Sequence, residues 1–233
     1  VRLDRVRTAG AVDYREVAAA VAATGMVVRG AFVPDTGDDV PDAPDGQPAR
    51  AVVIVGNTGG RDHPMWQRFV RERRDEPDPL DAWTRRTLSP IADRFGAAFV
   101  HPSDRPYRPF QRWAMRATDV WISPIGLLVD REHGLWHALR GAFVFAVDVV
   151  GAPAAGLGTS PCVECDQPCL SACPVDAIGP GRYEVESCRT HVGRDADPRC
   201  AVLGCAARVA CPVGVEFRYG ADQMAFHMRA FVG

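Results

Sequence analysis

Apolar positions along the chain recur first at helical and strand spacing, and then give way to a short cysteine-bearing tail. Val12, Val17 and Val21 fall near one face of a helix over 12–24, which Gly25 can end. Residues 26–33 (MVVRGAFV) read as a strand, and 51–56 (AVVIVG) as a continuous apolar strand that is buried on both faces. Between them, 34–49 is rich in Pro, Asp and Gly and reads as an exposed loop. Helical spacing returns over 64–74 and over 78–95, where Pro79 suits a first turn and Pro90 is expected to kink or divide the helix. Residues 97–101 read as a strand and 110–118 as a short helix. Residues 125–130 and 141–149 read as two further strands. The small-residue stretch 151–160 (GAPAAGLGTS) is the clearest linker, and Met224, Met228 and Phe231 form a stripe on a final helix over 220–232. The pattern predicts an α+β fold with two domains, 1–155 and 156–233.

Composition narrows the chemistry. With 233 residues the chain can bury a sizeable core. All 27 basic residues are arginine, so a lysine Schiff base and a P-loop lysine are excluded. The net charge is −2 and neither half is basic, so no broad electrostatic footprint for a nucleic-acid backbone is expected. No apolar run approaches the roughly 20 residues of a membrane-spanning helix. The first residues (VRLDRVRTAG) carry no apolar leader, so a cytoplasmic protein is expected. Val1 in place of Met points to a trimmed start or a literally translated GTG start codon.

All eight cysteines lie between Cys162 and Cys211. The first four follow C-x2-C-x3-C-x3-C-P, one residue longer in the second gap than the run of bacterial two-cluster ferredoxins. The second four are Cys188, Cys200, Cys205 and Cys211, again ending in Cys-Pro. Crossing the sets in the ferredoxin manner assigns Cys162, Cys165, Cys169 and Cys211 to one 4Fe–4S cluster and Cys173, Cys188, Cys200 and Cys205 to another. Two structural zinc sites would also use eight thiolates, but zinc favours paired C-x2-C knuckles and only Cys162/Cys165 forms one. Disulfides would need an oxidising compartment that nothing else supports.

Several further residues have two readings. Asn57-Thr58-Gly59-Gly60 follows a strand and precedes a helix, which suits a phosphate cradle or, more simply, a tight turn. His133 and His137 would share a face if their segment were helical. Arg105, Arg108 and Arg112, interleaved with Tyr107, Phe110 and Trp113, suit an anionic pocket or a solvated face over buried aromatics. Trp136 reads as core, and Arg140 as an ion-pair partner for Asp130 or Glu132, or as an anion-recognising group.

The stretch 122–145, with Gly134, Trp136, Arg140 and Gly141, resembles the cobalamin-processing proteins of the methylmalonic aciduria and homocystinuria type C family, in which "HPRFGGW" leads into "FAIRG". Asp78-Pro79-Leu80-Asp81 resembles that family's "DPVDQ". The same stretch followed by a cysteine run also resembles epoxyqueuosine reductase and the corrinoid reductive dehalogenases. The resemblance implies a nitroreductase-like N-terminal domain able to hold a corrinoid (cobalamin), with Trp136 and Arg140 in its pocket and a ferredoxin-like dicluster module beside it. It implies iron–sulfur electron transfer that reduces cobalt or removes its upper ligand, served by a redox partner protein or a small-molecule electron donor. No nucleic-acid or membrane partner is expected. Two other readings stand beside it: a ferredoxin-like carrier whose N-terminal domain only docks a partner, and a flavin reductase.

Overall fold

The computed structural model describes residues 10–44, 46–60, 63–156, 158–193 and 198–233. The reading of the first residues as lacking a leader lies mostly outside them. In chain order the elements begin with β1 (Val12–Asp13), α1 (Tyr14–Ala22), β2 (Val27–Phe32), β3 (Ala51–Thr58), α2 (Pro64–Glu72), α3 (Pro79–Arg94), β4 (Ala98–Val100) and α4 (Phe110–Ala117). They continue with β5 (Val120–Ile122), β6 (Leu128–Asp130), β7 (His137–Phe145) and β8 (Val149–Val150). The tail adds β9 (Ile178–Gly179), β10 (Arg182–Tyr183), α5 (Val185–Gly193), α6 (Pro198–Leu203), α7 (Ala206–Val209) and α8 (Ala221–Val232). The architecture is a mixture of helices and small sheets, as the pattern predicts.

The chain forms two compact units, each discontinuous in sequence. The first comprises residues up to Asn57, Arg68–Thr118 and Leu139–Gly156; the second comprises Thr58–Gln67, Asp119–Ala138 and Leu157–Gly233.

A four-stranded sheet of order β2-β3-β7-β4 organises the first unit. Seven of the eight residues of β3 are buried, which is why its sequence is apolar without alternation. Phe32, Val52, Ile54, Val100 and Val144 pack with Phe110 and Trp113 of α4, whose rings lie 4.9 Å apart. The Trp113 indole also donates to the Asp38 carbonyl at 2.7 Å and pins the 34–40 loop to this core. Arg116 pairs with Asp35 and Asp38 of the same loop. Arg108 binds Asp39, and Arg105 lies over the Tyr107 ring at 4.7 Å. The arginines of 105–116 thus serve a surface over buried aromatics.

Pro90 does not divide α3, which runs unbroken from Pro79 to Arg94 with Pro90 inside. Pro90 is exposed, while Leu80, Trp83, Leu88 and Ala92 are buried on the other side. The carbonyl that loses its partner can turn to water, and packing on the opposite face supports the helix across Pro90. The Trp83 ring meets Phe69 of α2 edge-on at 5.8 Å and its indole donates to Glu72 at 3.0 Å. The expected strands 125–130 and 141–149 are also shifted: 123–127 is a turn within the β5–β6 hairpin, and β7 begins at His137. His133 and His137 therefore do not share a helix.

In the second unit, α8 packs through the expected stripe and also through a more buried one. Gln223 is its fully buried residue, Phe226 meets Trp66 edge-on at 5.3 Å, and His227 lies 5.7 Å from Tyr219. Met224 lies half-buried against Gly204, and Phe231 stacks on Tyr183. Asp222 anchors the start of the helix by accepting from the Trp66 indole at 2.7 Å.

Candidate metal centre

The cysteine run lies in irregular backbone whose turns aim N–H groups at sulfur. Gln167, with a positive φ of 52°, donates its N–H to Cys165 Sγ at 3.3 Å, and Pro168–Leu170 then forms a single 3-10 turn around Cys169. Ala177 N–H donates to Cys173 Sγ at 3.3 Å, and Cys205 accepts from the N–H groups of Ala207 and Arg208. Such bonds are the means by which a chain holds thiolate ligands in place.

The thiols fall into two neighbourhoods. Burial pushes the Cys169 thiol up, and the sulfurs of Cys211, Cys162 and Cys165 beside it push it further. Burial also raises Cys211; Val213 N–H bonds to its sulfur and opposes this, as does the Arg218 charge, while Cys162 and Cys165 add to the rise. In the other neighbourhood, burial raises Cys188 against a hydrogen bond from Tyr183, with Cys173 and Cys200 reinforcing the rise. Cys205 is raised by burial and, after its backbone bonds, by Cys188 and Cys173. Cys162, Cys165 and Cys211 are thus electrostatic neighbours of Cys169, while Cys173 and Cys200 are neighbours of Cys188, and Cys188 and Cys173 of Cys205. Crowded, desolvated thiols hold their protons; a metal that displaces those protons removes the repulsion. Among the described residues no three Cys, His, Asp or Glu side chains are drawn together around a single-ion position.

Sequence reasoning missed the wall of the first neighbourhood. Val129 and Leu135 form an apolar cluster with Cys211, with Trp121, Ile125, Cys162 and Val213 packed against it. The loop after β6 is held by Asp130, whose carboxylate accepts the N–H groups of Glu132 and His133, both at 2.8 Å. At Gly134, with φ +57°, a Cβ would lie 2.0 Å from the Val213 carbonyl oxygen, so only glycine admits this approach of backbone to backbone. Arg208 of α7 fastens the same loop, donating from two nitrogens to the Leu135 carbonyl at 3.0 and 2.6 Å. Its guanidinium lies 4.6 Å from the Trp136 ring and 4.7 Å from that of Tyr219. The Arg at 208 was the available signal, but its partner is 73 positions away.

Trp136 is 1% exposed within this aromatic and arginine packing of the second unit. Arg140 is buried on β7 of the first unit and donates Nε to Asn57 Oδ1 at 2.8 Å. His101, also buried there, accepts the Ser103 N–H at Nδ1 and places Nε2 3.8 Å from Asp81. A Cβ at Gly59 would lie 2.0 Å from the Phe217 carbonyl oxygen and 2.8 Å from that of Trp136, so the glycine serves close packing.

No family model and no curated protein matches the chain. Solved structures do. A selenomethionine-labelled epoxyqueuosine reductase matches with a TM-score of 0.57 at 13% identity, over 91% of this chain and 68% of that one. The fold is similar to that of epoxyqueuosine reductase. A second such enzyme, solved with an epoxyqueuosine-modified tRNA-Tyr stem loop, matches with a TM-score of 0.53 at 13% identity, over 89% of this chain and 66% of that one. Epoxyqueuosine reductase from Streptococcus thermophilus gives a TM-score of 0.52 at 14% identity, over 86% and 65%. The chain spans about two thirds of the length of the epoxyqueuosine reductases it matches. No described helix is long and apolar enough to cross a membrane.

Proposed function

We propose that the chain is an iron–sulfur oxidoreductase. Cys162, Cys165, Cys169 and Cys211 would hold one 4Fe–4S cluster, and Cys173, Cys188, Cys200 and Cys205 a second. The observation that supports this reading is that Cys162, Cys165 and Cys211 neighbour Cys169 while Cys173 and Cys200 neighbour Cys188, with backbone N–H groups directed at Cys165 and Cys173. Zinc fits less well: it favours paired C-x2-C knuckles, and only Cys162/Cys165 forms one. When bound, the clusters supply one-electron transfer. The chain's own part is to exclude water with Val129 and Leu135, to orient sulfur through N–H donors, and to place the Arg218 charge beside Cys211.

The acceptor in this proposal is a corrinoid, on the strength of the fold likeness and the resemblance of 122–145. A second reading, a carrier with no further cofactor, is favoured by the burial of Trp136 and Arg140 in packed surroundings. The net charge of −2 supports a substrate other than tRNA.

The test is anaerobic loading with iron and sulfide, followed by titration with hydroxocobalamin. About eight irons per chain are expected, then a saturable shift of the corrin bands and cobalt reduction once a donor is added. Loading without a corrin shift selects the carrier reading. Stoichiometric zinc in place of iron overturns both.

A further inference from the structure

One short element carries a ligand of each thiol set in the two-cluster reading. α7 has Cys205 as its N-cap, and Cys211 follows shortly after its last residue, Val209. Val209 N–H bonds to the Cys205 carbonyl and Ala210 N–H to that of Ala206, both at 2.9 Å, and Cys211 N–H reaches the Arg208 carbonyl at 3.3 Å. α7 also lies against Pro168–Leu170, the turn that contains Cys169. A single helical turn does not hold itself in water, so its placement comes from what grips it.

Arg208, within that turn, supplies the grip. Its guanidinium donates twice to the Leu135 carbonyl, from Nε at 3.0 Å and from Nη2 at 2.6 Å. It lies against the rings of Trp136 and Tyr219, which are 1% and 4% exposed and meet edge-on at 5.4 Å. A cation against desolvated rings is held more firmly than one in water. The planar fork fixes direction as well as distance. The Leu135 side chain closes the circle, because it packs with Val129 on Cys211. Arg218 supports the end of α7 from the chain that follows, donating to the Val209 carbonyl at 2.6 Å.

We infer that Arg208 is a positioning residue: it fixes α7, and with it Cys205 and Cys211, against the Leu135 loop, and so sets the spacing of the two clusters between which an electron passes. The inference rests on the two-cluster reading. The step it serves is the loss of one electron at one cluster and its gain at the other. No bond is made or broken, and a reducing partner protein or small molecule is the source. Such a step depends on how the two sites are placed, and rigid support of the ligands keeps that placement fixed. Arg208 acts through the backbone it grips and takes no part in the chemistry of a substrate.

The experiment loads the full chain anaerobically with iron and sulfide, reduces it with dithionite, and records its electron paramagnetic resonance spectrum. Two reduced clusters held close split each other's lines, so the spectrum reads their spacing. The wild type is compared with Arg208→Gln, which removes the charge and shortens the reach, and with Arg208→Lys, which keeps the charge but not the fork. Trp113→Phe, which weakens the core of the first unit, controls for loss of stability alone. Wild type and control should hold about eight irons per chain and show the same split spectrum. Arg208→Gln should hold as many irons and lose the splitting, and Arg208→Lys should recover part of it. Wild-type splitting in an Arg208→Gln that keeps its irons overturns the inference, as does loss of splitting in the control. Loss of iron from both Arg208 variants also overturns it, because the residue would then serve cluster retention and not spacing. Where Arg208→Gln alone loses iron, Arg208→Lys decides: weakened splitting supports the inference and wild-type splitting overturns it. A wild type with eight irons and no splitting overturns the inference and leaves the two-cluster reading intact. A wild type that holds far fewer irons overturns the two-cluster reading and this inference with it.

Discussion

Individual residues carry the clearest consequences at the cysteines and at the glycine beside them. Cys169→Ser should lower bound iron from about eight to about four per chain if the two sets act independently, and Cys200→Ser should do the same while leaving the complementary signal. Iron and sulfide analysis with electron paramagnetic resonance checks both. Gly134→Ala places a methyl group against the Val213 carbonyl at a residue with φ +57°. Left-handed strain alone costs about 1–2 kcal/mol, and relief of the clash adds to it. The melting temperature should fall by roughly 5 °C or more, measured on the metal-free chain. His63 and His101 are both held neutral. Burial lowers both pKa values; the His133 charge helps at His63, while at His101 Asp81 works against burial. An unfolded histidine titrates near 6.5. Stability from these two residues is therefore present above about pH 6.5 and lost as the pH falls below it, because the unfolded chain takes up the protons first. Thermal melts between pH 8 and pH 5 should show a fall that begins near 6.5, and His101→Gln should flatten part of it.

At the level of elements, legibility followed length. β3 and α3 were readable because seven buried positions in a strand and five in a helix leave a strong periodic signal. α5, α6 and α7 span 9, 6 and 4 residues, too few for a hydrophobic repeat to rise above the cysteines placed by chemistry. The β5–β6 hairpin was missed as a pair because Ile125 and Leu127, apolar residues of its turn, extended the apparent strand. The cysteine run was visible as spacing, but the apolar wall beside Cys211 was not: Leu135 and Arg208 meet only through the fold. α3 offers its own test. Pro90 is exposed and the helix continues through it, so Pro90→Ala restores a missing N–H. Offset by the freedom that alanine gives the unfolded chain, the change should stabilise by about 1–2 kcal/mol, read as a higher urea midpoint with an unchanged slope. In α4, Trp113→Phe keeps a ring in the core and removes the donor to Asp38, at a cost of about 1 kcal/mol.

For the whole molecule, the fold is similar to that of epoxyqueuosine reductase, and the proposed clusters lie with the cysteines of the second unit. Metal removal tests how far the second unit depends on its thiols. Its tail has short helices and two-residue strands, whereas the first unit has a sheet and a packed aromatic core. Treatment with chelator and oxidant should therefore expose the region after residue 158 to protease before it exposes β3 or β7, as mapped by mass spectrometry of the fragments.

The interleaving of the two units along the sequence has a consequence for synthesis. The thiols of Cys162, Cys165 and Cys169 leave the ribosome well before Cys211, and the β5–β6 hairpin that walls them leaves earlier still. During that interval three exposed sulfurs await their fourth companion, open to oxidation or to a stray ion. On the two-cluster proposal, insertion would follow translation, and the nascent chain would need reducing surroundings, or a chaperone, until its last turns had emerged.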